Sequence, residues 1–108
     1  MLYIDGTNIK LTRGDTSYLT FPITMNGEAY AMKPEDTLYL TVKKTVNDTE
    51  YCFQRSSVGS NIIHIEPSDT KPFAFGKYKY DVELRLGDGD IFTVIDTSTF
   101  EILSEVTD

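Results

Sequence analysis

One cysteine, Cys52, is all the chain carries, so no internal disulfide can staple it. Basic residues are scarce as well: ten Lys and Arg stand against seventeen Asp and Glu, a net charge of -7. An acidic chain without a basic patch repels phosphate backbones, which argues against nucleic-acid binding. Long apolar runs are missing too, and the longest are only a few residues, far short of a membrane span. The start, Met1-Leu2-Tyr3-Ile4-Asp5-Gly6, has neither a basic opening nor an extended apolar stretch, so it does not read as a signal peptide. These features point to synthesis and folding in a reducing cytoplasm and leave the final location open.

What remains is the composition of an ordinary globular chain. Hydrophobic residues make up 40% and charged residues 25% of 108, which fits one domain over 1–108. Seven tyrosines and six phenylalanines, with many Thr, Val and Ile, favour strands over helices. No internal repeat, linker or low-complexity tract interrupts the chain.

The cleanest pattern lies in residues 76–96. Tyr78, Tyr80, Val82, Leu84 and Leu86 alternate with Lys79, Asp81, Glu83 and Arg85, giving one apolar and one charged strand face. Gly87-Asp88-Gly89-Asp90 follows, and then a second β-rich run begins at Ile91. Asp-Gly between two such runs predicts a tight hairpin. A two-residue turn at Asp88-Gly89 pairs Leu86 with Ile91, Leu84 with Thr93 and Val82 with Ile95. That register sets Asp81 against Asp96, an unfavourable pairing of like charges. Either a bulge shifts the register, which is the preferred reading, or Phe92 and Val94 face outward as an apolar strip that marks a partner surface.

Elsewhere the alternation is shorter. Leu2 and Ile4, then Ile9 and Leu11, flank a turn at Asp5-Gly6. Leu19, Phe21, Ile23 and Met25 point inward, with Pro22 marking an edge or a bulge, because proline cannot donate to a ladder. Asn26-Gly27 is a further turn, and Pro34-Glu35-Asp36 reverses the chain into a strand over 37–44. Residues 50–55 and 61–66 read as a hairpin with Tyr51 opposite Ile65 and Phe53 opposite Ile63, all four facing inward. Pro67 and Pro72 bracket at most one short helical turn near 67–73. A last strand spans 99–106. The expected fold is all-β: an antiparallel β-sandwich of about seven to nine short strands.

No residue set amounts to a reaction, and no catalytic, cofactor-binding or metal-binding residue is assigned. Arg13-Gly14-Asp15 reads as a turn between strands. Cys52 and His64 fall opposite each other in the register above, but no pocket, orienting group or oxyanion hole accompanies them. They are also too few to hold zinc. Asp88 and Asp90 lack the ligand spacing of a calcium loop and are explained by hairpin chemistry. Exposed tyrosines such as Tyr18 and Tyr39 would suit a protein- or sugar-binding face, although tyrosine is also simply a good strand former. The candidate interface residues are Tyr39, Phe92 and Val94. A carbohydrate-binding β-sandwich module is the alternative reading.

An apolar strand followed by Arg13-Gly14-Asp15-Thr16 and Leu19-x-Phe21-x-Ile23 resembles the start of small immunoglobulin-like structural proteins of tailed phages and prophages of Gram-positive bacteria. The strand at 37–44, then Ile65-x-Pro67-x-Asp69-Thr70 and Gly76-x-Tyr78-x-Tyr80-Asp81-Val82, continue the likeness, and the N-terminal domain of phage baseplate upper proteins is similar in layout. The resemblance implies an immunoglobulin-like sandwich acting in a tail or baseplate by protein–protein contact. Its partners would be other phage structural proteins, or copies of itself, within a virion. It carries over no catalytic residues and implies no enzyme activity.

Overall fold

Alternation of apolar and polar side chains becomes strand almost everywhere it occurs. The computed structural model describes residues 2–105. In chain order the elements are β1 (Leu2–Asp5), β2 (Asn8–Thr12), β3 (Ser17–Thr20), β4 (Thr24–Met25), β5 (Glu28–Ala29), β6 (Thr37–Lys43), β7 (Phe53–Val58), β8 (Ile62–Ile65), α1 (Pro67–Thr70), β9 (Gly76–Arg85) and β10 (Ile91–Leu103). One sheet holds six strands in the order β1-β2-β10-β9-β6-β7; β3 pairs with β8, and β4 with β5. The inward side chains of the large sheet and of the β3–β8 pair form one buried cluster. Ile9, Leu11, Leu38, Leu40, Val42, Val82 and Leu84 come from the former, and Leu19, Ile63 and Ile65 from the latter. The fold is an all-β sandwich, and its one helical turn, α1, sits between Pro67 and Pro72 as expected. The ten strands among the described residues exceed the expected number because β4 and β5 contribute two residues each.

Three further expectations are corrected by how the strands pair. The sheet is not wholly antiparallel, since β10 pairs in parallel with β2, Phe100 with Ile9 and Ile102 with Leu11. The two strands expected after residue 90 are one strand, β10; Val106, the expected end of the second, lies outside the described residues. The hairpin of residues 50–66 does not form. β7 pairs with β6, placing Phe53 opposite Val42, whereas β8 pairs with β3, placing Ile63 opposite Leu19 and Ile65 opposite Ser17. Phe53, Ile63 and Ile65 are buried as expected, but Tyr51 precedes β7 and is 54% exposed.

The crossing from one layer to the other is made around Gly59, whose φ of 70° favours glycine. Its N–H donates to the carbonyl of Asp36 at 2.8 Å. At this margin the layers are clamped by Arg55 of β7, which donates to both carboxylate oxygens of Asp69 in α1 at 2.8 and 2.9 Å. Asp69 also accepts the Glu66 N–H at 2.8 Å and so caps the helical turn.

The turn chemistry divides cleanly. Asn26-Gly27 forms a two-residue hairpin turn with both φ values positive, 53° and 81°. Asp88-Gly89 does not. The Leu86 N–H donates to the Asp90 carbonyl at 2.8 Å and the Gly89 N–H to the Leu86 carbonyl at 3.0 Å, so three residues form the loop. Gly89, at φ 97°, takes the left-handed position of that loop. The added residue shifts the register by one and sets Phe92 opposite Leu84, on the core-facing side. Bulges follow between Thr93 and Ile95 and between Ile95 and Ser98. The first lets Val94 and Ile95 both pack against the core.

The second bulge leaves Asp96 and Thr97 facing Asp81, between the Ile95–Val82 and Ser98–Tyr80 pairs. Desolvation raises the Asp81 carboxyl above its ordinary value, helped by Glu83 and Asp96 and opposed by Lys43. A carboxyl raised in the fold stabilises it below the ordinary carboxylate range, and that contribution is lost as pH rises through the folded value. Asp81→Asn is therefore expected to increase stability at neutral pH. The gain should be under about 1 kcal/mol, because the side chain is exposed and screened. Urea denaturation at about pH 7 and about pH 3 checks this: the gain should vanish at the lower pH.

Candidate functional site

The expected interface residues lie on opposite faces of the large sheet. Tyr39 alternates with the buried Leu38 and Leu40 and so points outward, where the Arg85 guanidinium lies 4.6 Å from its ring centre. Arg85 in turn donates to Glu83 at 2.7 Å. Phe92 and Val94 stand on the inner side of β10, near its start. Phe92 is nevertheless 44% exposed, although its partner Leu84 is fully buried. Opposite it stand residues 22–26, which run from Pro22 into the β4–β5 hairpin and leave a gap.

Between these walls is a cleft of about 390 Å³, lined by Pro22, Ile23, Met25, Leu84, Phe92 and Val94 among others. A second opening of about 180 Å³ continues along the same margin past Pro22 to Ile95, Phe21, Leu19 and Ile4. No charged side chain lines either one. The adjoining edge of β10 is unpaired over residues 91–97: its ladder partner there is β9 on one side, and β2 begins only at Phe100. On the face opposite Phe92, Ile91 is 58% exposed, as are Tyr3 and Ile4 on the outermost strand β1 to a similar degree.

Comparison with family models, with curated proteins and with solved structures returned no match. The surface must speak for itself.

The remaining sequence candidates are dispersed. Cys52 and His64 are not cross-strand neighbours, because β7 and β8 belong to different sheets. Cys52 is half-buried, and burial pushes its thiol up, away from the thiolate a nucleophile needs. His64 instead stacks on Tyr18, with ring centres 4.5 Å apart and planes 5° from parallel. Arg13-Gly14-Asp15 is a turn, with the Asp15 N–H donating to the Thr12 carbonyl at 3.1 Å. Arg13 is tied to Glu105 at 2.9 Å and to the carbonyl of Lys71. Asp88 accepts the Asp90 N–H at 2.9 Å, a local turn contact. Among the described residues no group of three or more His, Cys, Asp or Glu is placed to hold a metal ion. No helix among them is long and apolar enough to cross a membrane.

Sequence reasoning passed over two features. One is the far wall of the cleft, residues 22–26, whose Pro22 and Asn26-Gly27 signals were visible but not their position opposite Phe92. The other is Asp36, which is 1% exposed. Its carboxylate accepts the Tyr30 hydroxyl at 2.5 Å, the Lys33 N–H at 2.9 Å and the Gly87 N–H at 3.3 Å. Asp36 thereby ties the β9–β10 loop to the approach to β6 and fixes where β10 begins.

Proposed function

We propose that this chain is a non-enzymatic structural module acting through protein–protein contacts, as a tail- or baseplate-associated part of a phage or prophage. Its sandwich is read as immunoglobulin-like, made in the host cytoplasm and assembled into the virion with other phage structural proteins. The strand motifs support the lineage. The observation that carries the interaction reading is the half-exposed Phe92 ring, set with Val94, Ile23 and Met25 around an apolar cleft beside an unpaired strand edge. Exposed apolar surface rimmed by polar residues marks a partner site, and an open strand edge can accept a further strand.

The test is co-purification. Tagged protein expressed in an induced lysogen should bring down identified tail or baseplate polypeptides in a fixed ratio. A monomer by light scattering that retains no virion polypeptide would sink the proposal. Tyr18, exposed and backed by the His64 ring, is the one feature that favours a carbohydrate-binding module instead. A glycan array showing no binding with or without calcium removes that reading.

A further inference from the structure

The two walls of the cleft come largely from the two longest stretches of the sequence without Lys or Arg. Residues 14–32 include no Lys or Arg, and neither do residues 86–108. Acids bracket the opening instead. Asp90 immediately precedes β10, and Glu28 sits opposite Met25 across the β4–β5 hairpin. Both are exposed, and among the described residues neither forms an ion pair. The groove is thus apolar in its lining, with acids rather than cations at the residues adjoining that lining.

Its shape is that of a missing strand. Residues 91–97 offer an unpaired backbone edge, about 23 Å long at ~3.3 Å per residue. Ile91, Phe92 and Thr93 pair with β9 without interruption, so their free side is regular enough to accept a ladder. Beyond them the bulge at Val94 widens the cleft toward Pro22 and Ile95, where side chains rather than backbone would be received. Strand addition works in this way: backbone bonds supply affinity and pockets for alternate side chains supply specificity.

We propose that this seam is a docking groove for an extended segment of another protein that alternates apolar residues with Lys or Arg. It would add as a strand to residues 91–93 and set its apolar side chains against Phe92, Val94 and Ile23. A second copy of this chain is the wrong occupant. It would bring a net charge of -7 and an edge flanked by the same acids, so like charges would meet along the ladder. This inference rests on the reading of the chain as a protein-binding module and names the partner's chemistry.

The test titrates the full chain with three synthetic nine-residue peptides. One alternates Lys with Val and Ile, one has Glu in place of each Lys, and one holds the first composition in separate basic and apolar blocks. The alternating basic peptide should bind about tenfold or more tighter than the other two. Amide NMR shifts should cluster at residues 91–95 and 22–26. Phe92→Ser should weaken binding about tenfold while leaving the melting temperature nearly unchanged, because that ring is half-exposed. Equal binding of the block peptide, shifts confined to the Tyr39 face, no loss in Phe92→Ser, or no binding at all would each overturn the groove. A chain that fails here yet co-purifies with tail polypeptides keeps its proposed function and loses only this site.

Discussion

Phe100→Ala is expected to lower the unfolding free energy by about 3–5 kcal/mol, a large part of the ~5–15 kcal/mol typical of a domain. The residue is fully buried and sits where three strands meet, opposite Tyr78 of β9 and Ile9 of β2. Its ring meets Phe53 edge-on at 5.7 Å and Tyr80 at 6.2 Å, so truncation removes packing on two sides and leaves a cavity among stiff neighbours. The comparison is Phe92→Ala, which should cost under about 1 kcal/mol, because its ring is already half-exposed. Urea denaturation of both variants decides the matter. Equal losses would mean that the start of β10 is as firmly covered as its end.

The second large effect is a loss of stability at both extremes of pH, centred on the Tyr30–Asp36 contact. The hydrogen bond from Tyr30 holds the Asp36 carboxyl below its ordinary value, helped by the Lys33 N–H. A depressed carboxyl contributes stability above about pH 4, and that contribution is lost as pH falls through the lower folded value. Tyr30 is pushed up to about 12, first by its hydrogen bond to Asp36 and then by desolvation. Burial pushes Tyr80 up to about 12 and raises Tyr78 as well. A phenol raised in the fold contributes stability fully present below its ordinary value of about 10 and lost between there and about 12. Phenolate absorbance during alkaline titration should therefore lag in the native protein and rise together with loss of circular-dichroism signal. In strong denaturant the lag should disappear. Tyr30→Phe should leave Tyr80 lagging but shift the acid transition to higher pH, since Asp36 loses its largest stabilising partner. An unchanged acid transition in that variant would refute the role given to the contact.

Local patterning carried much of this fold and none of its long-range closures. The runs Leu38-x-Leu40-x-Val42 and Tyr78-x-Tyr80-x-Val82-x-Leu84 are buried on one face because alternation is a property of a single strand. Asn26-Gly27 and the proline-bracketed turn are likewise local. The parallel pairing of Ile9 with Phe100 joins residues 91 apart (100 minus 9) and leaves no trace in either strand alone. Residues 50–66 misled because a short connection resembles a hairpin. β7 is already paired to β6, and Gly59 turns the chain across the layers instead. At Asp88-Gly89 the dipeptide was right and the loop length was not, and one residue decided which face Phe92 takes. Its exposure could not be read locally, because it depends on how little of the opposite layer reaches that end. The same holds for Asp36, whose burial depends on Tyr30 and Gly87 closing over it.

The parallel pairing also sets an order of events during synthesis. Ile9 and Leu11 are made some ninety residues before the strand beside them in the sheet, residues 100–103 of β10. Until then β2 has only β1 beside it in the sheet. Closing so long a loop is entropically slow, so these apolar side chains wait in a chain that is not yet folded. A ribosome-bound chain ending at residue 99 should accordingly stay protease-sensitive throughout, whereas one extended past residue 105 and clear of the exit tunnel should become resistant in a single step.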